Sequence, residues 1–296
     1  MTPLSLLARE GAMLRDLRRL EKWKPVRYAA QAKVARGFDP QFATWLKENG
    51  FGSCKFADPT RPAYGGQSGK GQALVLIHGN SSSAEDFAPI IPQLEQAGIR
   101  VFAMSYGDAD KKKALFQHDS KAYVDEVAAF IEAVSEYTGG KVDIEGHSLG
   151  NLLIERALTA LEANGLTPAR NVITAAAANQ GLVPNLGEYF NPVAQLLVPS
   201  ASAFDPLRPL FGQMRERGIP AEHVYSLYGT GDAILGWDAT RTGPFPNADH
   251  DYELPLMGHF PAMQQTGRLV GAIVNGTVPS GLGWQGLVDW DGASTP

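Results

Sequence analysis

One five-residue segment has the residue types and the spacing that nucleophilic catalysis requires. Gly146-His147-Ser148-Leu149-Gly150 fits the pattern Gly-x-Ser-x-Gly. A serine held on a sharp turn between a strand and a helix takes a strained backbone conformation, so the residues two positions away on either side must be small. The segment therefore predicts a nucleophilic serine. The alternative is an ordinary strand–helix turn whose two glycines permit close packing.

The residues on either side of this segment favour the first interpretation. Residues 142–145 are typical of a short strand, and residues 152–158 are typical of a helix. We therefore expect Ser148 at the carboxyl end of a strand, where active groups gather in open parallel sheets. The N–H groups at the start of the following helix would then point at the reacting oxygen.

Two histidines are candidates for the base that such a serine requires. His259 lies immediately before the last predicted helix, in the loop position expected for the base, and His250 is the alternative. The four other histidines lie at less suitable places: His147 within the pattern itself with its side chain directed away from the serine oxygen, His223 at the start of a strand, His118 ahead of the serine, and His78 after the first core strand, where it would shape a loop.

Asp232 is the candidate for the acid that orients the base. It follows a predicted strand at 224–228 within the glycine-flanked turn 229–232. An aspartate in such a turn can also serve only to bond its own backbone. Four other aspartates compete and lie in an insertion or further into a loop: Asp205, Asp238, Asp249 and Asp251.

A further carboxylate, Glu145, lies three residues before the serine and has no place in this scheme. Two interpretations remain open. Glu145 is either hydrogen-bonded at the end of its strand, or it tunes His259 or contacts the substrate.

Two backbone N–H groups are expected to hold the negative oxygen of a tetrahedral intermediate. One belongs to Leu149, the residue after the serine, and the other to the loop that follows the first core strand, where Asn80 is the best candidate. Since both donors are backbone groups, the identity of the side chains at these positions is weak evidence for or against this assignment.

Strands and helices alternate from residue 73 to residue 275 and must position these groups. Alternation of this kind predicts a mostly parallel central sheet with helices on both faces. The run 73–77 is entirely apolar, as expected for a central strand covered on both faces. The predicted strands are 73–77, 99–105, 142–145, 171–176 and 224–228, the predicted helices are 84–97, 120–137, 152–164 and 261–275, and 229–257 is expected to be loop.

Three segments lie outside this alternation. Residues 1–72 are expected to be a helical lead-in packed on the main domain of residues 73–275, with one or two amphipathic helices over about residues 4–20 and a further helix at 41–48. Residues 179–222 are rich in Pro and Gly, with helical pieces at 192–198 and 206–217, and this length is typical of a substrate-covering insertion. The tail 276–296 carries Trp284 and Trp290, which could dock it on the domain.

The composition excludes several classes of function. A net charge of −5 argues against binding of nucleic acid, and the single cysteine, Cys54, excludes an intrachain disulfide.

The first residues do not resemble a signal peptide, and no apolar run is long enough for a transmembrane helix, so we expect a cytoplasmic protein, or a secreted one if an export signal has been removed. Neither a Cys/His cluster nor a Gly-x-Gly-x-x-Gly pattern after the first strand occurs, so no metal or organic cofactor is expected.

Together these motifs resemble the α/β-hydrolase superfamily, and within it the bacterial esterases and lipases of the class 2 or small triacylglycerol-lipase type. The resemblance rests on residues 74–80, 141–150, 229–232 and 258–259. It implies hydrolysis of a small-molecule or lipid ester through an acyl-enzyme on Ser148, with His259 and Asp232 completing the triad. The oligomeric state is not implied.

Other reactions use the same three residue types. Amidases, thioesterases, acyltransferases and cofactor-free peroxidases remain alternatives to the esterase, and a hydrolase-fold protein that only binds is a further one. The apolar residues of the insertion suggest either an acyl-binding wall or ordinary core: Phe190, Val193, Leu196, Leu197, Val198, Phe204, Leu207, Leu210 and Phe211.

Overall fold

A six-stranded parallel sheet organises the part of the chain that the structure describes. The structure is a computed structural model, and it describes residues 40–57, 71–80, 82–107, 120–181, 208–232, 235 and 240–289. The strand order is β2-β1-β3-β4-β5-β6, and all neighbouring strands are parallel. The strands are β1 (Ala73–Ile77), β2 (Arg100–Met104), β3 (Val142–His147), β4 (Ala169–Ala175), β5 (His223–Gly229) and β6 (Ala248–Leu254). The predicted fold class is thereby confirmed.

Helices connect the strands and cover both faces of the sheet. Short 3-10 helices lie at Lys55–Ala57, Ala84–Phe87 and Gly281–Leu287. The α-helices are α1 (Pro40–Glu48), α2 (Ile91–Gln96), α3 (Ser120–Thr138), α4 (Leu149–Ala163), α5 (Arg208–Arg217), α6 (Pro261–Gln264) and α7 (Gly267–Asn275).

The apolar core lies in two layers, one on each face of the sheet. Because side chains alternate along a strand, β1 sends Val75 and Ile77 into one layer and Leu74 and Leu76 into the other. Helices α1, α3, α4 and α5 contribute to the first layer, and α2, α6, α7 and the 281–287 segment contribute to the second. This double coverage explains why every residue of β1 is apolar and buried.

Strand β6 corrects the prediction that residues 229–257 form a loop. Its sequence, Ala-Asp-His-Asp-Tyr-Glu-Leu, is mostly polar because β6 is the last strand of the described sheet. Only Tyr252 and Leu254 of this strand are buried. A strand with so little buried surface has no apolar run by which it could be recognised.

Two predicted helices are each divided in the structure. The helix predicted at 84–97 is a 3-10 turn followed by α2, because Pro89 lacks an N–H and Pro92 starts a new helix. The helix predicted at 261–275 is interrupted between α6 and α7. There the carbonyl of Gln265 accepts a hydrogen bond from the N–H of Asp289, at 2.8 Å.

The segments outside the central alternation are described in part. Helix α1 buries Phe42 and Leu46 completely in the first core layer, and α5 occupies the end of the predicted insertion. The helices predicted within residues 1–39 and at 192–198 lie outside the described residues. No described helix combines the length and the apolar character needed to cross a bilayer.

Candidate active site

Ser148 lies on a strained turn between β3 and α4. Its backbone φ is 51° and its ψ is −124°, a conformation that residues other than glycine rarely adopt. The turn is held from the neighbouring strand, since the N–H of Ser148 donates to the carbonyl of Ala175 at 3.0 Å. Asn151 strengthens the same attachment by donating its side-chain N–H to Ala175 O at 3.1 Å.

The two glycines of the pattern are required by close packing. A Cβ at Gly146 would lie 2.4 Å from Asn151 Oδ1, and a Cβ at Gly150 would lie 2.3 Å from the carbonyl oxygen of His78. The backbone contact at Gly150 cannot be relieved, and a Cβ at Gly146 would displace the buried Asn151 side chain that holds the turn. Gly150 therefore allows α4 to begin directly against the end of β1, which brings the serine beside the loop that follows β1.

Asp232 and His259 form a buried hydrogen-bonded pair. The Nδ1–H of His259 donates to Asp232 Oδ2 at 2.8 Å, and both side chains are almost completely buried. A carboxylate only accepts, so the ring proton lies on Nδ1 and the lone pair of the neutral ring lies on Nε2. The N–H of Leu235 donates to Asp232 Oδ1 at 3.0 Å and fixes the carboxylate.

The loops that carry this pair pack tightly on each other. Asp232 follows β5 and His259 follows β6, so both leave the sheet at its carboxyl edge, as Ser148 does. A Cβ at Gly229 would lie 2.0 Å from Met257 O, and a Cβ at Gly231 would lie 2.5 Å from the carbonyl oxygen of Leu256. The two glycines that precede the aspartate in the sequence therefore serve this contact between loops.

The competing base lies elsewhere. His250 is exposed on strand β6, where its ring packs on Tyr252 with the centroids 4.4 Å apart. His250 is the third residue of its strand and therefore lies away from the carboxyl edge where Ser148 lies.

The competing acids that the structure describes have structural partners. Asp249 pairs with His223 at 3.0 Å. Asp251 accepts hydrogen bonds from the backbone N–H groups of Thr242 and Gly243 at 2.8 and 2.9 Å. Asp205 and Asp238 lie outside the described residues.

The loop after β1 approaches the serine through Gly79. A Cβ at Gly79 would lie 3.0 Å from Ser148 Cβ, and Asn80 is the next residue. His78 shapes this loop: its ring stacks on Tyr106 at 4.1 Å, and the hydroxyl of Tyr106 donates to His78 O at 2.9 Å. The loop thus passes beside the serine, where an oxyanion donor would be needed.

His147 contacts the candidate base, which the sequence did not indicate. Its Nε2–H donates to the backbone carbonyl of His259 at 3.0 Å, and the two ring centroids are 4.8 Å apart. Burial, together with the adjacent His259 ring, lowers the pKa of His147 to about 3. His147 is therefore neutral at ordinary pH and acts only as a fixed hydrogen-bond donor.

The structure corrects the interpretation that Glu145 is hydrogen-bonded at the end of its strand. Its side chain is completely buried between Leu76 of β1 and Ile173 of β4, and neither carboxyl oxygen has a hydrogen-bond partner among the described residues. Burial raises the pKa of Glu145 to about 8. Its complete burial also leaves it no surface with which to contact a substrate.

A second buried acid, Glu155, lies on α4 and was missed by the sequence reasoning. Both of its oxygens are buried without a hydrogen-bond partner in the described part of the chain, and burial raises its pKa well above the usual range. The sequence does not reveal the burial of Glu155. Most residues of α4 are buried, but a single acid in a helix is usually read as a position exposed to solvent.

Metal ligation finds no support in the side chains that the structure describes. Among those residues, no group of three or more His, Cys, Asp or Glu side chains is arranged to hold a metal ion.

Residues 71–189 match the family described as lipase (class 2). No curated protein matches the chain. Among solved structures, the mature lipase BlEst2 of Bacillus licheniformis is similar with a TM-score of 0.54 and 15% identity, over 72% of this chain and 96% of that chain.

Two further solved structures are similar to a comparable extent. A membrane phospholipase A, described as a bacterial virulence factor, has a TM-score of 0.51 and 18% identity, over 73% of this chain and 82% of that chain. Lipase B of Aspergillus fumigatus has a TM-score of 0.51 and 16% identity, over 75% of this chain and 56% of that chain. At these identities the similarity shows a shared fold alone.

Proposed function

We propose that the chain is a serine hydrolase of the α/β-hydrolase superfamily, similar to bacterial esterases and lipases, and that it cleaves carboxylic esters through an acyl-enzyme on Ser148. One observation carries the proposal. The buried bond between His259 Nδ1 and Asp232 Oδ2, 2.8 Å long, lies at the same sheet edge as a serine held at a φ of 51°. The match of residues 71–189 to the class 2 lipases favours an ester as the substrate.

The proposed reaction follows from the protonation state of the pair. Nε2 of His259 removes the proton of Ser148 Oγ, and Oγ attacks the ester carbonyl carbon. The tetrahedral intermediate collapses, the alcohol leaves with the proton from His259, and the acyl group stays on Ser148. Water, deprotonated by His259, then attacks the acyl-enzyme and releases the carboxylic acid. Asp232 stabilises the imidazolium that forms twice in this cycle.

The oxyanion of the intermediate requires two donors. The proposal assigns them to the backbone N–H groups of Leu149 and Asn80. Leu149 begins α4, so its N–H is one of the groups at a helix N-terminus that have no partner within the helix. Asn80 follows Gly79, which packs on Ser148. A donor of this kind stabilises the transition state by roughly 3 kcal/mol.

Alanine substitutions test these roles with p-nitrophenyl esters. Ser148→Ala and His259→Ala should each lower kcat by about 10⁴-fold or more, because nucleophile and base act as one unit. His250→Ala is the matched control and should keep wild-type activity, since His250 is exposed on β6. Hydrolysis that survives Ser148→Ala would contradict the nucleophile assignment, and a loss confined to His250→Ala would contradict the base assignment.

A series of acyl chains defines the substrate class. Esters from acetyl to palmitoyl should all be cleaved faster than the matched amides, because an alkoxide leaves more readily than an amine. Preference for long chains would identify a triacylglycerol lipase, and preference for short chains an esterase. Amide turnover at rates equal to those of the esters would overturn the proposed reaction class.

A further inference from the structure

The side chain of His147 packs between the loop that carries His259 and the loop that carries Gly79. On one side, its Nε2–H donates to the carbonyl of His259 at 3.0 Å. On the other side, its Nδ1 faces Gly79, where a Cβ would lie only 2.9 Å from that nitrogen. The side chain is 1% exposed, so these contacts are shielded from water.

The direction of the hydrogen bond is determined by its acceptor. A carbonyl oxygen cannot donate, so the proton of His147 lies on Nε2, and Nδ1 is the bare nitrogen. Nδ1 is buried and has no hydrogen-bond partner within the described residues. The ring therefore makes one directed bond, and that bond ends on the backbone of the proposed base.

The aromatic contacts restrict the same loop. The rings of His147 and His259 have centroids 4.8 Å apart, and Phe260 packs on the His147 ring at 5.7 Å. His259 is thus held at two points, by Asp232 through its side chain and by His147 through its backbone. A displacement of about 1 Å in a catalytic group can cost 10²-fold in rate, so the second attachment has a kinetic consequence.

We propose that His147 is a positioning residue, which holds the His259 loop at a fixed distance from Ser148 through its Nε2–H bond, while its ring fills the space beside Gly79. This inference rests on the proposed function, because it assigns His259 as the base. It adds a role for the residue that precedes the nucleophile, one that depends on a neutral ring with its proton on Nε2.

Three substitutions separate the hydrogen bond from the bulk of the ring. His147→Gln keeps an N–H donor near the position of Nε2, His147→Leu removes the donor, and His147→Asn carries a donor too short to reach the carbonyl of His259. His250→Leu is the control for loss of a histidine far from this contact. The fraction of active sites is measured by titration with a fluorophosphonate, which reacts only with an activated serine, so misfolded protein does not enter the rates.

The expected result is a loss of kcat per active site of about 10- to 100-fold in the Leu and Asn variants. Their KM should change by less than about threefold, and the Gln variant should recover most of kcat. The rate of fluorophosphonate labelling at Ser148 should follow the same order, because it depends on the base but not on the ester. If His147→Leu does not fold, the comparison of Gln with Asn still decides.

Two results would overturn the inference. One is wild-type kcat per site in the Leu or Asn variant, and the other is an equal loss in the Gln and Asn variants, which would show that the ring rather than the bond matters. Failure of the proposed function looks different. In that case the wild-type protein is labelled at Ser148 and the variants keep the expected order, yet no ester is hydrolysed.

Discussion

Two fully buried carboxyl groups near the site carry no hydrogen bonds among the described residues. Glu145 lies on β3 two residues before His147, and Glu155 lies on α4, seven residues after Ser148. An ionised carboxylate without partners is costly to bury, so each carboxyl group stays protonated at pH values above the ordinary pKa of glutamate. The strand and the helix that hold the proposed nucleophile therefore both carry a neutral acid in their interior.

This burial makes folding stability depend on pH. The pKa of Glu145 rises from 4.5 to about 8 on folding, so the folded protein binds this proton more tightly than the unfolded chain does. Stability therefore falls as the pH rises from about 4.5 to about 8, and the loss persists above that window. At about 1.4 kcal/mol for each pKa unit, the contribution of Glu145 is roughly 3–5 kcal/mol.

Glu145→Gln should flatten that dependence, because an amide does not ionise. Urea denaturation at a series of pH values from 4.5 to 8.5 measures the effect, and the variant should gain stability relative to wild type as the pH rises. Part of the slope should remain, since Glu155 is unchanged. Glu48→Gln on the exposed side of α1 is the control. A slope equal to that of wild type in Glu145→Gln would contradict this explanation.

At the scale of elements, a partly buried ion pair links β3 and β4 at the edge of the sheet opposite the site. Arg170 of β4 forms two hydrogen bonds to Asp143 of β3, at 2.9 and 2.5 Å, and also donates to the carbonyl of Val274 in α7 at 2.6 Å. The Asp143 side chain is completely buried, while Arg170 is one-third exposed. The pair thus joins two central strands to the last helix.

Arg170→Met should lower the free energy of unfolding by about 2–4 kcal/mol, because it leaves the Asp143 carboxylate buried without its charged partner. The exposed pair Arg217–Glu162 is the matched control, and Arg217→Met should cost less than about 1 kcal/mol. Chemical denaturation measures both variants. Since Arg170 lies at the amino end of its strand, kcat of the folded variant should equal that of wild type, and a selective loss of kcat would contradict this account.

The predictability of each element depended on how much of it is buried. Strand β1 could be predicted to the residue, because both of its faces are covered and every side chain must be apolar. Strand β6 could not, because only two of its residues are buried. The helix break at 265–266 was also missed, where the Gln265 carbonyl accepts a hydrogen bond from the N–H of Asp289, a residue distant in the sequence.

The candidate site could also be predicted only in part. The carboxyl edge of a parallel sheet could be predicted to gather Ser148, Asp232 and His259, and the structure brings the last two into a hydrogen bond. The contact of His147 with the His259 carbonyl could not be predicted, because it joins two loops 112 residues apart in the chain. Sequence spacing carries no information about such a bond.

At the scale of the whole molecule, the end of the described chain completes the second core layer. Trp284 is 6% exposed and packs edge-on against Tyr252, with ring centroids 5.3 Å apart. Asp289 then accepts hydrogen bonds from Gln93 at 2.7 Å and from Arg268 at 2.9 Å. Docking of the tail through its indoles was one possibility, and Trp284 packs on the edge strand that the sequence did not reveal, while Trp290 lies outside the described residues.

Trapping of the acyl-enzyme tests the central claim most directly. The wild-type protein is mixed with p-nitrophenyl butyrate and quenched in acid during turnover. It is then digested, and the masses of its peptides are measured by mass spectrometry. We expect a burst of p-nitrophenol and one butyryl group on the peptide that contains Ser148, with neither in Ser148→Ala. A butyryl group on a different residue, or release of p-nitrophenol by Ser148→Ala at the wild-type rate, would contradict it.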